Sequence, residues 1–242
     1  MSGWELAGVC AVVVLAAATQ QLSGFGYALM AVPLLSVLLG PKDAVALSSL
    51  SGLAGTALMA VRLRHRTDRP VVARLLLGAV VGMPLGIVVL RQVPAAPLQV
   101  AVSVVVLGAV ALLASGFRLR RESARTEVGA GFVSGMINTS IGIGGPPVVI
   151  VLQAAEHEQH TFRATTVSYF LVSNLIALPL FFASGVVDDS TWVAGLVAVP
   201  AALLGTQAFE RVAFRVRTEH FKPLVLGLLV LSAAASLASV IA

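Results

Sequence analysis

Charge is what this sequence has least of. Asp, Glu, Lys and Arg make up 11% of its 242 residues against 58% hydrophobic ones, and no ionisable side chain falls in the middle of any long apolar run. Proton relays and cation sites inside a membrane use a buried carboxylate or histidine, so neither is expected. Cysteine occurs once, at Cys10, which excludes a disulfide framework and a thiolate metal site. Polar stretches are too short to hold a large soluble domain, and no Walker motif is present. The net charge of +5 sits in short loops between apolar runs and is no nucleic-acid signal. Met1-Ser-Gly-Trp-Glu5 lacks a basic n-region, so no cleaved leader is expected despite Ala16-Ala17-Ala18.

What remains is a series of apolar runs, most of them close to the ~20 residues that cross a bilayer as a helix. The fold class is therefore an all-α polytopic membrane protein. Residues 44–61, 71–90, 97–116, 164–184, 191–209 and 221–241 read as single spans, with Pro84, Pro179 and Pro200 as kinks inside them. Residues 4–39 and 128–155 are different. The first would measure about 54 Å as one helix, far more than the membrane, and both carry breakers near their middle. Each reads as a hairpin of two shorter helices.

Positive charge sets the orientation. Arg62 to Arg74, Arg118 to Arg125 and Arg211 to Lys222 mark three cytoplasmic loops, and only a hairpin at 128–155 puts all three on one side. On that topology 14 of 16 Lys and Arg are cytoplasmic, Lys42 and Arg91 excepted, and both termini face outside. The chain then divides into a first repeat (1–117), a linker (118–127) and a second repeat (128–242) of opposite orientation. Echoes support the repeat: Gly24-Phe-Gly26 with Gly142-Ile-Gly144, Ala44 with Ala164, Pro84 with Pro200 and Pro97-Leu98 with Pro223-Leu224. Inverted repeats with broken helices near the midplane are a transporter architecture.

The most distinctive stretch is Gly135-Met-Ile-Asn-Thr-Ser-Ile-Gly-Ile-Gly-Gly-Pro-Pro147. Its glycines loosen the backbone, and Pro146 and Pro147 suit only a first helical turn. One helix should end near Asn138 to Gly144 and another begin near Pro146. Broken backbone is tolerated in lipid only where it is buried or lines a cavity, and a new helix start aims N–H groups and a positive dipole end into that cavity. The expected anion site combines backbone N–H groups at Gly24, Gly26, Gly142, Gly144 and Gly145 with side chains of Gln20, Gln21, Ser23, Asn138, Thr139 and Ser140. Ser48, Ser49, Ser51, Ser168, Ser173 and Asn174 lie on the following spans, where small polar residues ordinarily serve helix packing. Arg163, just past the second hairpin, is a candidate for drawing an anion in, or else a snorkelling interfacial residue. Gly78, Gly82 and Gly86 form a small-residue face for packing within the chain or in a homo-oligomer. His157 and His160 have metal-ligand spacing but sit in a short interfacial loop, so no metal and no cofactor is expected.

Two motifs resemble the sulfite exporter TauE/SafE family. Gly24-Phe-Gly-Tyr-Ala-Leu-Met-Ala-Val-Pro33 with Pro41-Lys-Asp-Ala-Val-Ala-Leu47 is similar to its first-half motif. Gly135 to Val149 with Phe162-Arg-Ala-Thr165 and Asn174 is similar to its second-half motif, with Pro146 where many members have a third glycine. The resemblance implies a polytopic permease of a prokaryotic cytoplasmic (inner) membrane for sulfur-containing anions such as sulfite, sulfoacetate or related organosulfonates. The expected activity is secondary transport, not enzymatic turnover. An inside-negative potential favours anion export by about 2.3 kcal/mol per charge per 100 mV, so export needs no intramembrane proton carrier. The rivals are a membrane enzyme acting on a lipid phosphate and a non-transporting scaffold subunit. The first needs interfacial acids, histidines or arginines grouped as they are not here, and two polar helix breaks argue against the second.

Overall fold

The computed structural model describes residues 3–115, 123–154, 158–213, 227 and 229–238, and among them it contains helices and no strand. In chain order these are α1 (Gly3–Ser23), α2 (Tyr27–Leu39), α3 (Pro41–Leu63), α4 (Arg69–Gln92), α5 (Ala95–Ser115), α6 (Ala124–Ile141), α7 (Gly145–Ala154), α8 (Gln159–Ser184), α9 (Asp189–Ala213) and α10 (Leu229–Ala238). Six of them are long and apolar enough to cross a membrane, making this a multi-pass membrane protein. Both broken units appear, as α1–α2 and α6–α7, and Pro84, Pro179 and Pro200 all lie inside helices. Most helices begin several residues before their apolar run because their first turns are polar. Pro41 opens α3, the Asp68 carboxylate caps α4 by accepting from Val71 N–H, and Ser123 forms a capping box with Thr126 on α6. The linker's Arg118 to Arg121, and parts of the last predicted span, lie outside the described residues.

The most extensive helix pair is α4 with α6. A Cβ placed on Gly78, Gly82 or Gly86 would overlap the Val128, Phe132 or Met136 carbonyl oxygen of α6, and one on Gly131 or Gly135 the Leu75 or Ala79 carbonyl of α4. Two rows of glycine interlock so that the backbones touch. The glycine face, expected to serve packing within the chain or in a homo-oligomer, is thus buried inside the chain against α6. Close backbone approach is worth most where no solvent drives helices together, and α4 spends its glycines there. Its lipid-type residues, Leu77, Val81 and Leu85, point the other way and are exposed. At one end of this pair the Arg74 guanidinium forks onto the buried Glu127 carboxylate, a second bond (Nη2 to Oε1) measuring 3.2 Å.

The next most extensive pair is α1 with α9, so each hairpin's first helix packs against the second long span of the other half. The halves also meet at both ends of α3, which at 23 residues is about 35 Å long. At its N-terminal end, Asp43 Oδ1 accepts from Asp188 N–H (3.2 Å) and Thr191 Oγ1 (2.9 Å) at the start of α9. Beyond its C-terminal end, Asp68 N–H donates to Thr165 Oγ1 of α8 (3.0 Å), and the Thr67 and Ser168 hydroxyls pair at 2.9 Å. Asp68 and Asp188 both immediately precede a long span, 120 positions apart.

Candidate functional site

The two helix breaks are built alike. Gly24 and Gly142 have φ of +84° and +77°, the left-handed region that favours glycine. Their N–H groups close the preceding helices onto the Gln20 and Asn138 carbonyls at 2.7 and 3.0 Å. Two residues later, Gly26 and Gly144 precede the new helices α2 and α7. The amide side chains of the same two residues are each held by the span that follows: Gln20 Nε2 donates to Thr56 Oγ1 of α3 (2.9 Å), and Asn138 Nδ2 to Asn174 Oδ1 of α8 (3.2 Å). All four pairs (Gln20 and Asn138, Gly24 and Gly142, Gly26 and Gly144, Thr56 and Asn174) are 118 positions apart. An aromatic–glycine contact is also shared with its polarity reversed. The Tyr27 ring at the start of α2 occupies the space of a Gly52 side chain on α3, whereas Gly145 at the start of α7 leaves room beside the Phe170 ring on α8.

Between the breaks lies a cavity of about 30 Å³, room for a couple of waters or one small ion at roughly 10–15 Å³ per water. Gln20, Asn138 and residues 142–145 form its walls together with Phe25, Tyr27, Ala28 and Leu29 of the first break. Ser48, Ser49, Gly52 and Thr56 of α3 and Phe170 and Asn174 of α8 complete it. None of these lining residues is charged at neutral pH. The first-turn N–H groups of Tyr27, Ala28 and Leu29 have no acceptor within α2 by helix geometry, and Gly26 supplies no side-chain cap. α7 is poorer, because Pro146 and Pro147 delete two of its first-turn donors. Ser49 and Thr56 turn their hydroxyl protons back onto the Val45 and Gly52 carbonyls of their own helix. Ser48 does not: its residue is 3% exposed, and its hydroxyl has no protein partner.

The other expected site residues sit around this cavity, not on it. Thr139 Oγ1 donates across to the Met83 carbonyl of α4 at 2.8 Å, and Ser140 Oγ turns back to Ile137. Gln21 is buried, and its carbonyl accepts Arg163 Nη2 at 2.6 Å. Arg163 thereby ties α8 to the carbonyl end of α1, where a cation is favoured, and its Cγ would lie 3.2 Å from a Gly24 Cβ. The Ser23 side chain is outside the described residues, as is His157. No group of three potential metal ligands occurs among the described residues. Tyr27, Thr56, Phe25 and Phe170 were not anticipated as lining. One signal was present: Ser48, Gly52 and Thr56 recur every four residues and so share one face of α3.

No curated protein and no solved structure matches the chain significantly. A family model, described as sulfite exporter TauE/SafE, matches residues 9–236. That match takes in both helix breaks, the spans that clamp them and every described residue lining the cavity, so this membrane protein belongs to the TauE/SafE family of sulfite exporters, a family of anion transporters.

Proposed function

We propose that the protein is a secondary transporter carrying a small sulfur-containing oxyanion, sulfite or an organosulfonate, outward across a prokaryotic cytoplasmic membrane. The observation that carries the reading is the neutral, donor-rich cavity between the two breaks. Hydrogen-bond donors without a fixed countercharge share an anion's charge among several weak contacts, which binds it without trapping it. In this reading the chain is two inverted repeats, residues 1–117 and 128–242, meeting at the cavity. The membrane potential supplies the drive, since an inside-negative potential favours anion export. The contacts at the two ends of α3 then act as alternate latches: breaking Asp43 from the start of α9 opens one side, and breaking Thr165 from the start of α4 opens the other.

Purified protein in liposomes tests this through potential-driven sulfite and organosulfonate flux, with anion affinity measured on folded variants. A lost hydrogen bond to a charged ligand costs about 1.5–3 kcal/mol, so Asn138→Ala should weaken binding roughly 10- to 150-fold. Gly145→Val is the cleaner blocking variant. Its Cβ would lie 3.7 Å from Phe25 Cδ2 and 4.0 Å from Phe170 Cζ, ordinary contacts, so the added methyls fill the cavity without forcing the helices. Gly144 is unsuitable for this purpose, because a Cβ there presses on Ser134 O and Asn138 Cβ at 2.8 and 2.9 Å. Parent-like affinity in both Asn138→Ala and Gly145→Val would place the site elsewhere.

A further inference from the structure

Whatever anion the cavity takes must leave its hydration shell for a space with little charge to offer in return. A helix start is worth about half a positive charge, and the two starts here are unequal. α2, 13 residues long, has three first-turn N–H groups without an acceptor in the helix, those of Tyr27, Ala28 and Leu29, and all three residues line the cavity. α7 has lost two of its own to Pro146 and Pro147. The independent sign of a ligand is Ser48, buried, lining the same cavity and bonded to nothing in the protein. Its hydroxyl opens onto the cavity, where a bound oxygen would satisfy it.

None of the charged groups on the surrounding helices lines the cavity. Lys42 and Asp43 stand at the start of α3 and Arg62 in its last turn, Glu5 is in the first turn of α1, and Arg125 and Glu127 open α6, with Glu127 paired to Arg74. On α8, His160 is in the first turn, and Arg163 faces the carbonyl end of α1, which offsets about half of its charge. Tyr27, the titratable group on the cavity wall, pairs its hydroxyl with Ser51 at 2.8 Å.

We propose that the cavity selects singly charged sulfur oxyanions, bisulfite or a simple alkanesulfonate, over doubly charged ones, with the α2 first-turn amides and the Ser48 hydroxyl receiving the anionic oxygens. The inference rests on the anion-transport reading and narrows it. Solvation favours an ion with the square of its charge, and an uncompensated buried charge costs several kcal/mol, so a dianion should bind at least about 100-fold more weakly. Sulfate, unprotonated sulfite and sulfoacetate with both acids ionised fall on the excluded side.

The test measures binding to the purified full-length protein. The probes are methanesulfonate (always a monoanion), sulfate (a dianion at neutral pH), dimethyl sulfone (a neutral analogue of methanesulfonate) and sulfite across its second ionisation. Expected are methanesulfonate binding that is flat with pH, sulfate weaker by about 100-fold or more, and sulfite affinity falling with the bisulfite fraction. Ser48→Ala should lose about 10-fold in methanesulfonate affinity while melting like the parent, since its hydroxyl holds nothing in the protein. Sulfate binding as tightly as methanesulfonate, or sulfite binding independent of pH, would overturn charge selection while leaving the anion reading intact. So would methanesulfonate affinity unchanged in Ser48→Ala, as regards the role of that residue. Dimethyl sulfone binding as well as methanesulfonate, or no binding by any anion, would remove both.

Discussion

Gly82→Ala should destabilise the protein although alanine is the better helix former. A Cβ at Gly82 would overlap the Phe132 carbonyl oxygen and lie 3.0 Å from its carbon and from the Met136 nitrogen. These atoms are backbone, so no rotamer change relieves the contact, and α4 must move off α6 along the most extensive interface in the fold. Overpacking of this kind costs about 1–3 kcal/mol, the upper part of that range applying where the neighbour cannot turn away. Gly to Ala inside a helix returns up to about 1 kcal/mol, leaving a net loss of about 2 kcal/mol. At roughly 2–4 °C per kcal/mol for a chain of this size, the midpoint should fall by about 4–8 °C. Gly108→Ala is the matched control on α5: its Cβ meets nothing within 4 Å, so only the propensity gain remains and the midpoint should rise slightly. The assay is thermal unfolding of purified protein in detergent, followed by circular dichroism at several protein concentrations, together with anion affinity, which should not change. A Gly82→Ala midpoint at or above the parent's would refute the interlocked-glycine argument. A shift that grows with dilution would show that this face joins two copies of the chain.

Three further outcomes can be checked. Arg163→Gln removes the charged donor to the Gln21 carbonyl and should cost about 1.5–3 kcal/mol of stability; if the guanidinium also draws the anion in, transport should slow more at low ionic strength than at high. Equal slowing at every ionic strength leaves Arg163 a structural tie alone. For the latches, a cysteine at Ser49 on the cavity wall, in a Cys10→Ser background, reports access: Asp43→Ala should raise labelling from outside and Thr165→Val from the cytoplasm, and labelling from the same side in both refutes alternation. For topology, cysteines at Ser2 and Ala242 should label from outside in intact cells and the Arg118–Arg125 loop should not; labelling of either terminus only after permeabilisation breaks the hairpin arrangement.

Much of this molecule follows from the sequence by itself. Apolar runs separated by arginine-rich loops dictate membrane helices, because a backbone in hydrocarbon must satisfy its own hydrogen bonds. The places where α1 and α6 end were legible too, since Gly24 and Gly142 adopt backbone angles that other residues resist and Pro146 and Pro147 fit only a helix start. Gln20 and Asn138 were legible as site candidates because amides are rare in lipid and both adjoin a break. Tertiary structure decided which neighbouring donors remain free. Thr139 reads like a ligand residue beside Asn138, but one helical step of about 100° turns it to α4, where the Met83 carbonyl takes its proton. Ser48 and Ser49 are adjacent and chemically identical, yet Ser49 bonds back to Val45 while Ser48 faces the cavity unpaired. The glycines of α4 show the same limit. Their spacing announces a close contact, but whether the partner is another chain or this one depends on where α6 lies, a relation between residues some 50 positions apart that no local pattern encodes.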